Sequence, residues 1–282
     1  MQVAKFVYFF KVAAYGLFLS EILACPDHLH HEEDRLRKRA EPGGNVTWAY
    51  EASYDWGRLS DSFELCQIGT QQSPIPLSLT QGLSLNHRPY FHYSDTYNAS
   101  LHNWGYGPAV TLAHPKDDFS QLPHFTFEEE SGMNETVYLT GWHIHAPADH
   151  SVSGDRSKAE LHLVHVSSTG KPRAVVAIRI DPGNTISPFF SHLPPLIRFK
   201  DTETRVPIEN FNPVLALAEV NFLNEFWTYK GSLTSPPCSE GIRWFVARNI
   251  LFVGVKQMQE ILFNSIYSAR QEQEVWLHQI NV

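Results

Sequence analysis

Basic residues are in deficit: 22 Lys and Arg stand against 30 Asp and Glu, for a formal charge of −8. The one short basic run, Arg35-Leu36-Arg37-Lys38-Arg39, makes no stripe, so a nucleic-acid partner is excluded. No charge-free apolar run is long enough for a comfortable transmembrane helix, and no stable membrane insertion is expected. Internal repeats and low-complexity linkers are missing from about residue 45 onward, which excludes repeat arrays and long tethers. Helical periodicity is scarce. Only 255–263 places Val255, Met258, Ile261 and Leu262 on one face and reads as a short amphipathic helix. Cysteine is sparse too: Cys25, Cys66 and Cys238 allow at most one internal bridge.

What is present begins with a leader. Lys5 and Lys11 flank and interrupt an apolar stretch that runs to Leu19, and small Ala24 follows. Residues 1–24 therefore read as a secretory signal peptide, with an uncleaved anchor as the alternative. Residues 25–44 are too polar to fold and form a linker or a pro-segment ending near the dibasic Lys38-Arg39. The His28-His30-His31 cluster within them reads as part of that polar tail, with weak metal binding as the alternative. Sequons at Asn45, Asn98 and Asn134 agree with a eukaryotic secretory route, so the protein is expected to be secreted, extracellular or cell-wall associated, and glycosylated. In such a compartment two cysteines pair. Cys66 and Cys238 are the natural pair because Cys25 lies at the cleavage site; two buried free thiols are the alternative. The bridge would close a long loop, at an upper estimate of about 4–5 kcal/mol.

Residues 45–282 read as a single domain. Runs of aromatic and β-branched residues at 109–113, 124–128, 136–145, 158–167, 174–180 and 242–247 are separated mostly by Gly, Pro, Asn or Asp, which predicts a mainly β fold. Within it, Gly141-Trp142-His143-Ile144-His145 sets two histidines one residue apart, so a strand would project both to one face. Glu160-Leu161-His162 offers a third imidazole from a second strand, with Glu160 on the same face to accept the ring's other N–H. His165 falls on the opposite face. Three protein ligands with a fourth position open describe a catalytic rather than a structural zinc. Ordinary buried histidines are the alternative for His-x-His alone. Hydroxyls in Ser232-Leu-Thr-Ser-Pro-Pro-Cys-Ser-Glu240 could orient a metal-bound hydroxide, or form a plain Pro-rich turn.

Taken in order, these stretches resemble the α-class carbonic anhydrases, of a secreted, eukaryotic, fungal-like type. The matches are Trp48-Ala-Tyr50 through Gln72-Ser-Pro-Ile75, the His143/His145 strand, Glu160 to His165, Leu233 to Glu240, Trp244, and Arg270 with Gln273. The resemblance covers about residues 46–274. It implies a single domain with a large twisted, mostly antiparallel sheet of about ten strands, a few short helices, and one zinc ion (Zn2+) in a conical cleft. It implies reversible hydration of carbon dioxide to bicarbonate and a proton, so the partner is a small molecule. Metal ligands would be His143, His145 and His162, supported by Glu160. Thr234 would aim the hydroxide, Ser235 would keep a hydroxyl near the substrate, and Tyr50 would help hold ordered cleft water. The apolar wall beside carbon dioxide falls to Val164, Val175, Leu233, Ile242 and Trp244, or these are simply core.

Three positions depart from the family pattern. Asp149 stands where a glutamate usually receives the hydrogen bond of the aiming threonine. Tyr106, in Asn103-Trp-Gly-Tyr106, stands where fast members carry a proton-shuttling histidine. A phenol with a pKa near 10 cannot exchange protons near neutrality, so turnover is expected to be modest. His102, His114 or buffer would have to serve. Gly141 replaces a glutamine that contacts the first zinc histidine, leaving His143 to a backbone carbonyl or water.

Overall fold

In a computed structural model of the chain, residues 47–94 and 96–282 are described. The expected signal peptide, the polar segment, Cys25 and Asn45 lie outside them. The described residues form thirteen strands: β1 (Tyr90–His92), β2 (Tyr97–Asn103), β3 (Pro108–Leu112), β4 (His124–Glu128), β5 (Asn134–His145), β6 (Ser151–Val152), β7 (Asp155–Arg156), β8 (Ala159–Val166), β9 (Pro172–Gly183), β10 (Val206–Phe211), β11 (Phe226–Ser232), β12 (Glu240–Ala247) and β13 (Leu251–Gly254). Eleven of them make one sheet, not ten, with the path β10-β2-β3-β5-β8-β9-β12-β11. β4 joins β5 and carries β1 outward, while β13 extends the sheet beside β9. The β9 pairings to β12 and β13 are parallel and the rest antiparallel. The predicted helix is present at Val255–Phe263. No helix among the described residues is long and apolar enough to cross a membrane.

Strand alternation makes two different faces out of the central strands. Trp142 and Ile144 of β5, Leu161 and Leu163 of β8, Val176 and Ile178 of β9, and Phe245 of β12 point into the main core. The residues between them point the other way. On β9 and β12 that second face is apolar, with Val175, Ala177, Ile242, Trp244 and Val246 packed in a smaller cluster. On β5 and β8 it carries the histidines. Burial of both faces explains why these strands read as nearly continuous apolar runs in which His and Glu stand out.

The chain also ties its ends to this second face. Cys66 and Cys238 are bonded across 172 residues of sequence. Buried Arg270 donates to the Ser73 carbonyl at 2.8 Å and to the Cys66 carbonyl at 3.2 Å. Ser73 and Ser232 exchange backbone-to-hydroxyl hydrogen bonds at 2.9 and 3.0 Å. Together they pin the loop after β11, which contains Thr234 and Ser235.

Candidate metal centre

Register brings the three imidazoles together. In the β5–β8 pair, His143 lies directly opposite His162, and His145 directly opposite Glu160. The donor atoms of His143, His145 and His162 all lie within 4.8 Å of one another, and all three residues are buried. The Nε2 atoms of His143 and His145 are 3.0 Å apart.

Hydrogen bonds select which nitrogen each ring presents. His145 Nδ1 is 2.6 Å from the Ser268 carbonyl, which can only accept. That ring therefore carries its proton on Nδ1 and offers the Nε2 lone pair. His162 Nε2 donates to Glu160 Oε1 at 2.8 Å, which leaves its Nδ1 lone pair. Burial lowers the His145 pKa, against the opposing pull of Asp149, so the ring is held neutral as a metal ligand must be. Buried, convergent imidazole nitrogens fit a divalent metal of zinc's character.

Glu160 does more than its spacing predicts. Its Oε1 also accepts from His150 Nδ1 at 2.6 Å, and its Oε2 accepts from the His150 backbone N–H at 2.9 Å. Burial pushes the Glu160 pKa up, yet His150 and His162 outweigh it and hold the carboxyl well below its usual range. The chain continues from His150 Nε2 to the Tyr229 hydroxyl at 2.8 Å and on to Ser73 at 3.1 Å. Sequence reasoning missed His150, although it follows Asp149 directly. Only its position beside a site residue could have signalled it.

A small cavity sits against the imidazoles. Its volume is about 20 Å³, room for one water-sized molecule. Tyr50, Val164, Val175, Leu233, Thr234, Ser235 and Trp244 line it with the three histidines. Ile242 packs in the same apolar cluster but does not line the cavity. The larger Trp244, two residues along the same face, takes that place.

The three departures have definite structural settings. Asp149 is fully buried; its Oδ1 accepts from the Arg270 backbone N–H at 2.8 Å, and its Oδ2 has no hydrogen-bond partner. The expected bond from Thr234 to Asp149 is not formed. Tyr106 does not line the cavity. Its ring stacks on Trp48 with centroids 5.9 Å apart, in an aromatic group with Tyr50, Trp56 and Trp104. Trp104, which sequence reading passed over, sets its ring 5.3 Å from that of His143 and 5.4 Å from that of His145. At Gly141, an added Cβ would stand 2.3 Å from the Val110 carbonyl oxygen of β3, so backbone contact forbids any side chain there. Of the other proton-carrying candidates, His102 is buried. Burial, aided by Arg205, lowers it to about 4, which removes it from proton exchange near neutrality. His114 is outside the core, against the Pro115 carbonyl. Asn98 and Asn134 are both exposed.

Comparison with known proteins agrees with this geometry. The family profile described as Eukaryotic-type carbonic anhydrase matches residues 51–281. The chain is 29% identical over 229 residues to the carbonic anhydrase of Pectobacterium carotovorum, covering 79% of this chain and 84% of that one. It is 31% identical over 230 residues to dioscorin DB3S of Dioscorea polystachya, covering 77% of each. Among solved structures, the Photobacterium profundum alpha-carbonic anhydrase superposes with a TM-score of 0.64 at 25% identity, over 83% of this chain and 99% of that one.

Proposed function

Because the chain belongs to the eukaryotic-type carbonic anhydrase family, we propose that it is a secreted zinc enzyme hydrating carbon dioxide to bicarbonate and a proton. The observation that carries this reading is the set of three buried, convergent imidazoles, two of which already commit their other nitrogen, His145 to Ser268 and His162 to Glu160. His145 Nε2, His162 Nδ1 and a nitrogen of His143 would hold the metal. Bound there, zinc supplies Lewis acidity that lets a water ionise near pH 7, the established figure for carbonic anhydrase zinc.

The chain's own residues account for the rest. Val164, Val175, Leu233 and Trp244 give neutral carbon dioxide an apolar wall. Asp149 Oδ2, which no hydrogen bond occupies, is the acceptor we assign to the Thr234 hydroxyl. A hydroxyl that donates its only proton can then only accept, and Thr234 would turn the attacking oxygen's hydrogen away from the carbon. Glu160, kept ionised by His150, holds His162 by its Nε2 proton. With a phenol at 106 and a neutral His102, the proton leaves to buffer, and turnover is modest. The exposed Asn98 and Asn134 and the Cys66–Cys238 bridge support passage through an oxidising secretory compartment.

The test is a zinc and rate measurement on the purified secreted chain. One zinc per chain, carbon dioxide hydration lost on chelation and restored by zinc, and inhibition by a sulfonamide are expected. Full activity after complete zinc removal would sink the reading. A chain that holds no zinc and shows no hydration would instead be a binding or storage protein on the same fold.

A further inference from the structure

A second cleft, about 400 Å³ and open to solvent, lies outside the site described above. Its volume is in the range of small-molecule sites. One wall is Pro147, two residues after the ligand His145; another is Ile266 and Tyr267, in the segment after the C-terminal helix. The third is the run Arg156-Ser157-Lys158. No step of the proposed reaction uses any of these six.

The third wall is under-occupied by its own protein. Arg156 reaches only Glu272, at 3.7 Å, beyond hydrogen-bond length, and that carboxylate oxygen already accepts from the Ser151 backbone N–H at 3.1 Å. Lys158 commits its backbone N–H to Asp181 at 2.9 Å, while its ammonium has no ion-pair partner among the described residues. Between them, buried Ser157 has a hydroxyl with no hydrogen-bond partner. On a chain of net charge −8, this cleft is lined by two cations, of which Arg156 has only the long pair to Glu272 at 3.7 Å and Lys158 has no ion pair among the described residues, so a bound anion would be attracted to both. The opposite side is different in kind: a proline ring, an isoleucine and a partly exposed tyrosine ring suit an apolar body.

We propose that this cleft binds a small organic carboxylate. Its carboxylate group lies between Arg156 and Lys158 within reach of Ser157, and its apolar part lies against Pro147, Ile266 and Tyr267. Guanidinium favours this ligand because its fork of N–H donors matches a carboxylate's two oxygens. An occupant would also adjoin the groups that orient a metal ligand. Ala146 donates its backbone N–H to Ser268 Oγ at 3.0 Å, and the Ser268 carbonyl holds His145 Nδ1.

The test titrates benzoate into the zinc-loaded full chain by calorimetry, with a sulfonamide saturating the metal so that direct coordination is closed to benzoate. Saturable binding at one site is expected. The double variant Arg156→Ala/Lys158→Ala, at positions that are not deeply buried, should bind at least tenfold more weakly while keeping its zinc and its melting temperature. Benzamide, of the same shape without the charge, should also bind at least tenfold more weakly. Absence of saturable binding, or equal affinity in the double variant, or equal affinity for benzamide, overturns the proposal. Binding of bicarbonate at the same site with benzoate excluded would overturn the organic class. If no metal binds and the sulfonamide has no purchase, the same titration on the unblocked chain still decides by its dependence on Arg156 and Lys158.

Discussion

Asp149 has two carboxylate oxygens in unlike situations. Oδ1 is satisfied by the Arg270 N–H, while Oδ2 is buried without a hydrogen bond, 3.7 Å from His145 Nδ1. An unmet buried acceptor costs roughly 1–3 kcal/mol, and such a cost in a native site points to a group reserved for a working partner. Asp149→Asn would keep one acceptor for Arg270 but turn the other arm into a donor, which cannot receive the Thr234 proton. Turnover is expected to fall about 10- to 100-fold, the range for lost groups that orient a metal site's working groups, with zinc content unchanged; stopped-flow hydration beside metal analysis checks it. A variant as fast as the parent would remove Asp149 from the aiming role. Tyr106 leads to the converse expectation. Tyr106→His supplies a group that titrates near neutrality, so turnover in weak buffer should rise and its dependence on buffer concentration should flatten. An unchanged buffer dependence would place the exit route elsewhere. At this scale the sequence was uneven. The resemblance pointed to Asp149 and Tyr106 by position, but their partners were hidden. Which oxygen is free, and that Tyr106 stacks on Trp48 rather than facing the cavity, depend on side-chain geometry that spacing does not encode.

The β3–β5–β8 element explains a departure that looked like a defect. The resemblance implies a glutamine where this chain has Gly141. Here β3 comes so close that a Cβ at 141 would meet the Val110 carbonyl oxygen at 2.3 Å. Backbone, unlike a flexible side-chain tip, cannot step aside cheaply. Gly141→Ala must separate β3 from β5 at Thr111, its direct partner, two residues from the pair Ala109–His143. Overpacking of this kind costs about 1–3 kcal/mol, so the melting temperature is expected to drop by several degrees, and the zinc dissociation constant should rise because His143 moves with the strand. Calorimetry and a competitive chelator titration read the two effects. An unshifted melting curve would show that β3 yields without cost. Strand existence and facing were legible from alternation, and β5, β8 and β9 were placed to within about three residues. β1, β6, β7, β10 and β13 were not, because a strand of two to four residues, or one interrupted by a bulge as β10 is between Ile208 and Phe211, has no period to read; the seven-residue β2 and β11 were also not read.

At the scale of the whole molecule, the legible part was the sheet's second face and the illegible part was what closes it. Three histidines on two strands follow from local pattern. The Cys66–Cys238 bridge was legible from the cysteine count, but the closure by Arg270, Ser73 and Ser232 joins residues about 40 to 200 positions apart, and no local signal carries those hydrogen bonds. Buried histidines away from the metal add a property that only the folded chain reveals. His165 donates from Nδ1 to the Leu163 carbonyl at 3.0 Å, and its Nε2 accepts from the Tyr93 hydroxyl at 2.5 Å, an arrangement that needs the neutral ring. Burial lowers it to about 3, and burial with Arg205 lowers His102 to about 4. In the unfolded chain both titrate near 6.5. Between the folded and unfolded values the unfolded state binds more protons, so stability rises with pH there. The contribution is complete above about pH 6.5 and is lost as pH falls toward 4 for His102 and 3 for His165. At roughly 1.4 kcal/mol per unit, each histidine removes about 2 kcal/mol by pH 5. Melting temperatures recorded from pH 7 to 4.5 should therefore descend, and His102→Gln should descend less steeply by the slope of one proton. Acid release of zinc is common to parent and variant and drops out of the difference between them. Parallel curves for the two would mean that His102 already carries its proton in the folded chain at neutral pH, or that its burial is relieved before the fold gives way.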